Sequence, residues 1–136
     1  MPGSFSLHPQ LEADTAPFGE LELSTVRIMD NASVPWLILV PRVAGARELI
    51  DLSDSQQQQL VREIAEASKA LKAAFRPDKL NVAALGNMVE QLHIHVIARF
   101  GDDPAWPKPV WGNLPPAPRS AAALAYFCDR LKHHWR

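Results

Sequence analysis

A chain of 136 residues is the length of one domain and too short for two independent cores. Apolar residues make up 47% and charged residues 21%, a balance that excludes a disordered chain or a coiled coil. Fourteen Lys and Arg against fifteen Asp and Glu give a net charge of −1, which supplies no strong field to hold a nucleic-acid backbone, and the lone Cys128 excludes an internal disulfide or a Cys-rich zinc site.

The longest strongly apolar run, Val34 to Val40, is far short of the roughly 20 residues that cross a membrane. Met1 to Pro17 has neither the basic start nor the apolar core of a signal peptide, so a cytoplasmic location is the default expectation.

Leu21 to Ile28 (LELSTVRI) is rich in β-branched and apolar residues and predicts a strand. Asp30 to Ser33 predicts a turn. Trp36 to Val40 is continuously apolar and ends at Pro41, as in a strand covered on both faces. The two strands are expected to form a hairpin. Ser53 and Gln56 then make a capping-box pattern, with Asp54 in the first turn of a helix. Leu60, Ile64, Ala67, Leu71 and Phe75 form one apolar stripe, and Arg62, Glu63, Glu66 and Lys69 fall on the opposite, solvated face. Pro77 ends the helix. Leu80 to Leu85 and Leu92 to Ala98 predict two further strands around a loop, Gly86 to Glu90. Six of the twelve prolines lie between Pro104 and Pro118 with Trp106 and Trp111, which predicts an extended segment. Such a Trp-Pro segment is expected to pack on its own fold or on a partner subunit rather than on a base. Ser120 caps a short last helix with Leu124, Phe127 and Leu131 on one side. The order of elements predicts an α+β fold with an antiparallel sheet.

The chemistry is concentrated in Gln91-Leu92-His93-Ile94-His95-Val96-Ile97. In a strand Gln91, His93 and His95 share one face, and the two imidazoles lie roughly 7 Å apart. Two imidazolium charges at that distance repel by about 2 kcal/mol at an effective dielectric of 20. At least one ring is therefore neutral at pH 7, fit to be a nucleophile, a base or a metal ligand. Three readings stay open on the pattern alone. The histidines are a polar face without a chemical task, or they are metal ligands completed by Glu90, Asp102 or Asp103. In the third, a neutral imidazole attacks phosphorus while its neighbour and loop N–H groups hold phosphate oxygens.

The stretch LNVAALGNMVEQLHIHVIAR resembles the active-site hairpin of the histidine triad (HIT) superfamily, whose signature alternates three histidines with apolar residues after a Gly-containing loop. Trp36 to Arg42 resembles that family's apolar strand ending in Pro and a basic residue, and the long helix falls between them as it does there. The resemblance covers about residues 21–99. It implies an HIT-like domain over residues 1–103, a Pro/Trp-rich tail and C-terminal helix over 104–136, a sheet of about five strands with one long helix, and a homodimer. It further implies a hydrolase or nucleotidyl transferase acting at the α-phosphorus of a nucleotide conjugate, with no metal and no cofactor. His93 is implied as the nucleophile, His95 as a phosphate-oxygen donor, and Asn81, Gly86 and Asn87 as phosphate holders. Asp30 or Asn31 is implied as the ribose contact. Three positions depart from the family pattern: Gln91 replaces the first histidine of the triad, Trp36 stands where many members carry a histidine, and Ala44 stands at a further one. Two helpers in proton handling are thereby lost, which implies a narrowed or slow activity. The alternatives are a metal-dependent hydrolase with His93 and His95 as ligands, or a nucleotide-binding protein weakened in catalysis.

Overall fold

The computed structural model describes residues 4–135; the outermost ends of the two expected ranges, residues 1–3 and 136, lie outside the described residues. Five strands form one antiparallel sheet: β1 (Thr15–Glu20), β2 (Ser24–Met29), β3 (Trp36–Pro41), β4 (Lys79–Ala83) and β5 (Ile94–Arg99). Their order across the sheet is β1-β2-β3-β5-β4, so β1 and β4 are the edges. Three helices accompany them: α1 (Pro9–Asp14), α2 (Asp54–Phe75) and α3 (Ala121–His134). The α+β class, the sheet of five strands, the long helix and the C-terminal helix agree with the sequence reading.

Each face of the sheet has its own cover. Strand side chains alternate, so Leu37, Leu39, Ile94 and Val96 point to one side and pack with Leu60, Ala67 and Leu71 of α2 and Phe127 and Leu131 of α3. Trp36, Ile38, Val40 and Ile97 point to the other side and meet Leu11 of α1 and Val110 of the tail. All six residues of β3 are buried, which explains its unbroken apolar sequence. The tail packs on its own fold, with Trp111 against this second face and Arg119 donating to the carbonyls of Met29 and Val34.

The helix caps were legible. Ser53 Oγ accepts from Gln56 N while Gln56 Oε1 accepts from Ser53 N, closing the capping box at the start of α2. Arg76, left-handed at φ 51°, ends that helix before Pro77. Ser120 Oγ likewise accepts from Ala123 N at the start of α3.

Other expectations are corrected. Glu63 is not on a solvated face: it is fully buried, and its carboxylate accepts from Leu23 N and Ser24 N at 2.7 and 2.9 Å and from Gln59 Nε2 at 3.0 Å. The charge lies inside because it satisfies two main-chain donors at the turn before β2. Leu21 to Leu23 belong to that turn, so β2 starts three residues later than expected. The α1 and β1 elements escaped the sequence reading because α1 is only six residues long and Pro17 and Gly19 break the strand pattern of β1. Pro17 is tolerated on β1 because this is an edge strand with its register shifted between Pro17 and Gly19. Strand β5 begins at Ile94 rather than Leu92, and β4 ends at Ala83 rather than Leu85, so the loop between them is longer than Gly86–Glu90. Among the described residues no helix is long and apolar enough to cross a membrane.

Candidate active site

The central pairing of β3 with β5 places Trp36 opposite Ile97 and Ile38 opposite His95. On the other side of β5, Ala83 of β4 is opposite His95 and Asn81 is opposite Ile97. His95 and Asn81 therefore share the sheet face that carries Trp36. His93 lies in the loop just before β5. The two rings approach edge to face with centroids 5.0 Å apart. Both residues are largely enclosed, His93 6% and His95 4% exposed.

Hydrogen bonds fix the tautomer of each neutral ring. His93 Nδ1 is 2.7 Å from the Gln91 carbonyl oxygen. A carbonyl only accepts, so Nδ1 carries the proton and Nε2 keeps its lone pair. Trp36 Nε1 donates to His95 Nδ1 at 3.0 Å. An indole only donates, so His95 Nδ1 is the bare nitrogen and the proton of the neutral ring sits on Nε2. In their neutral forms, His93 thus carries its lone pair at Nε2 and His95 its proton at Nε2. Burial, with the electrostatic effect of the neighbouring His93 as the smaller cause, lowers the His95 pKa to about 4, so this ring is neutral at pH 7. Trp111 of the tail packs edge-on against both His95 and Trp36, with centroids 5.0 and 6.0 Å away.

His93 opens on a cavity of about 350 Å³ that is also lined by Arg47, Ile50, Leu85 and Gly86. Gly86, at φ +81°, adopts a left-handed conformation that a side chain would strain. A neighbouring cavity of about 500 Å³ shares Arg47 and is lined by Asn87 and Gln91. Gly86 and Asn87 are thus near the histidine loop, as the sequence reading placed them.

The remaining candidates are placed differently. Gln91 does not share a strand face with His93 and His95, because β5 starts after it. Its side-chain amide joins the N-terminal segment, with Oε1 accepting from His8 N and Nε2 donating to Ser6 O, both at 2.8 Å. What Gln91 gives to His93 is its backbone carbonyl. Asp30 and Asn31 hold the tail: Asp30 Oδ1 accepts from Arg119 N at 2.8 Å, and Asn31 Nδ2 donates to Pro115 O at 3.2 Å. Asp103 does not stand with the histidines as a metal ligand. It forms a two-point ion pair with Arg99 at 2.8 and 3.1 Å, each side chain 2% exposed. Among the described residues no group of three His, Cys, Asp or Glu is arranged to hold a metal ion.

Two contributions depend on contacts between distant segments. Arg99 is buried in its ion pair, and its Nη1 donates to Asn81 Oδ1 at 2.9 Å, which fixes the amide with its NH2 turned away from the guanidinium. Trp36 looked like a lost histidine and is a donor to His95. The register between β3 and β5 creates that contact, and no local pattern in the sequence encodes a register between strands so far apart.

Comparison with known proteins agrees with this architecture. The HIT domain family model matches residues 10–102. A crystal structure of a histidine triad protein from Bradyrhizobium japonicum superposes with a TM-score of 0.95 at 47% identity, covering 98% of this chain and 99% of that one. A histidine triad protein from Marinobacter aquaeolei VT8 does so with a TM-score of 0.94 at 47% identity, over 98% and 97% of the two chains. An AP-4-A phosphorylase of Mycobacterium tuberculosis is 32% identical over 75 residues, 51% of this chain. That match spans only 38% of the phosphorylase. With the family model covering most of its length and the paired histidines following the Gly86 loop, the chain belongs to the HIT domain family.

Proposed function

We propose that this protein is a hydrolase or nucleotidyl transferase acting at the α-phosphorus of a nucleotide conjugate, through a covalent nucleotidyl intermediate on His93. The observation that carries this reading is the Nδ1 contact with the Gln91 carbonyl, which in the neutral ring puts the proton on Nδ1 and the lone pair on Nε2 of a cavity-lining imidazole. The similarity to an AP-4-A phosphorylase supports a nucleotide substrate.

In this reading Nε2 of His93 attacks phosphorus and forms an N–P bond. The bond from phosphorus to the leaving group breaks, and the leaving group departs with the electron pair. The ring, now positive, keeps its Nδ1 proton on the Gln91 carbonyl. His95 donates from Nε2 to a phosphate oxygen as negative charge builds. Water then attacks phosphorus, the N–P pair returns to His93, and the water proton passes to solvent. Asn81, Gly86 and Asn87 contribute phosphate contacts. A homodimer is part of the proposal, supported by the exposed Val61 on α2 and Val82 on the free edge of β4.

The test is turnover of adenosine phosphoramidate and dinucleoside polyphosphates by wild type and His93→Ala. The proposal expects turnover by wild type, resistance to chelator, and loss of turnover with retained nucleotide binding in His93→Ala. Equal rates for the two proteins overturn it. Loss of activity to chelator, restored by zinc or iron, favours the metal-dependent alternative. Nucleotide binding by a wild type without turnover favours a binding protein.

A further inference from the structure

We propose that Trp36 is a positioning residue, which holds His95 through Nδ1 so that this ring meets substrate only as an Nε2–H donor. The inference rests on the nucleotidyl-transfer reading for its consequence, but its geometry stands separately.

Three observations converge on it. The indole N–H of Trp36 is 3.0 Å from His95 Nδ1, and the two residues are 6% and 4% exposed, so no bulk water competes for either group. Trp111 packs edge-on against both rings, with centroids 6.0 and 5.0 Å away. The pairing of Trp36 with Ile97 and of Ile38 with His95 fixes the two side chains as diagonal neighbours on one sheet face. An imidazole held this way has one nitrogen occupied and one proton to offer. If Nδ1 were free, both tautomers would compete, and the one with a bare Nε2 would turn a lone pair toward the phosphate oxygens.

This has a consequence for the leaving group. Neutral His95 stabilises charge on phosphate, but its proton is a hydrogen-bond donor rather than a transferable acid. The indole N–H of Trp36 is likewise a hydrogen-bond donor and not a transferable acid. The pair therefore serves charge stabilisation, and a departing group must leave as a stable anion or take its proton from solvent.

The experiment is ¹⁵N NMR of the histidine side chains in the full chain at pH 7, with kcat and KM for a dinucleoside polyphosphate. Wild type is expected to show His95 protonated at Nε2 and a scalar coupling across the hydrogen bond between Trp36 Nε1 and His95 Nδ1. Trp36→Phe keeps a ring in the slot and removes the donor. It is expected to mix the His95 tautomers and to lower kcat about ten-fold, the effect of losing one hydrogen bond's worth of orientation, with KM little changed. His95 protonated at Nδ1 in wild type, or no coupling, overturns the proposal even if the variant fails to fold. Unchanged tautomer or unchanged kcat in Trp36→Phe also overturns it. A wild type that turns over no conjugate contradicts the functional reading instead, and the NMR result separates the two failures.

Discussion

His93 takes its orientation from the main chain of Gln91. The ring donates from Nδ1 to the Gln91 carbonyl at 2.7 Å, while the Gln91 side chain reaches the other way, to Ser6 and His8. The residue at the place of the first triad histidine thus holds the His93 ring with its backbone and the N-terminal segment with its amide.

Gln91→Ala separates these roles. The carbonyl remains, so kcat is expected to stay within about three-fold of wild type. Two side-chain hydrogen bonds are lost, which costs roughly 1–2 kcal/mol. Amide exchange at His8 is expected to speed up, because its N–H loses its acceptor. A large fall in kcat with unchanged exchange at His8 would contradict this division.

The Arg99–Asp103 pair ties the tail to β5. Asp103 also accepts from the main-chain N–H groups of Phe100, Ala105 and Trp106, and Arg99 donates to the Lys108 carbonyl. The hydrogen bond from Arg99, with help from the N–H groups of Phe100 and Ala105, holds the Asp103 pKa down at about 2. Asp103→Ala leaves a buried guanidinium without its counter-ion, which is expected to cost about 3–5 kcal/mol in urea unfolding. Asp103→Asn keeps the shape and part of the hydrogen bonding, and is expected to cost less. A loss below about 1 kcal/mol in the alanine variant would show that the tail does not depend on this pair.

His95 links stability to pH. Its pKa falls from 6.5 to about 4 on folding, chiefly through burial. Between those values the unfolded chain binds a proton that the folded chain refuses, so stability falls as pH drops through that window. The full effect is at most roughly 3 kcal/mol. Urea unfolding at pH 7 and pH 4.5 of wild type and His95→Gln measures it. The variant is expected to lose less stability on acidification, and parallel losses in the two proteins would contradict the linkage.

Much of the fold was legible because its signals are local. Ser53 with Gln56, Pro77 after the long helix, and the unbroken apolar run of β3 each announce their element within a few residues. The His93–His95 pair was legible in the same way. What stayed hidden depends on contacts distant in sequence. Glu63 reads as a surface charge until the donors of Leu23 and Ser24, some forty residues away, are placed over it. The burial of Arg99 and its bond to Asn81 follow only when the fold closes Asp103, Asn81 and Lys108 around it. Pro17 and Gly19 conceal β1, because an edge strand accepts residues that a strand-seeking pattern rejects.

The central claim is that His93 forms a bond to phosphorus. Quenching of wild type with alkaline denaturant during reaction with adenosine phosphoramidate or a dinucleoside polyphosphate, followed by intact mass spectrometry and peptide mapping without acid, tests it most directly. The account predicts a nucleotidyl adduct on the peptide containing His93, absent in His93→Ala. Turnover by wild type with no adduct at any quench time, or an adduct that persists in His93→Ala, would contradict it.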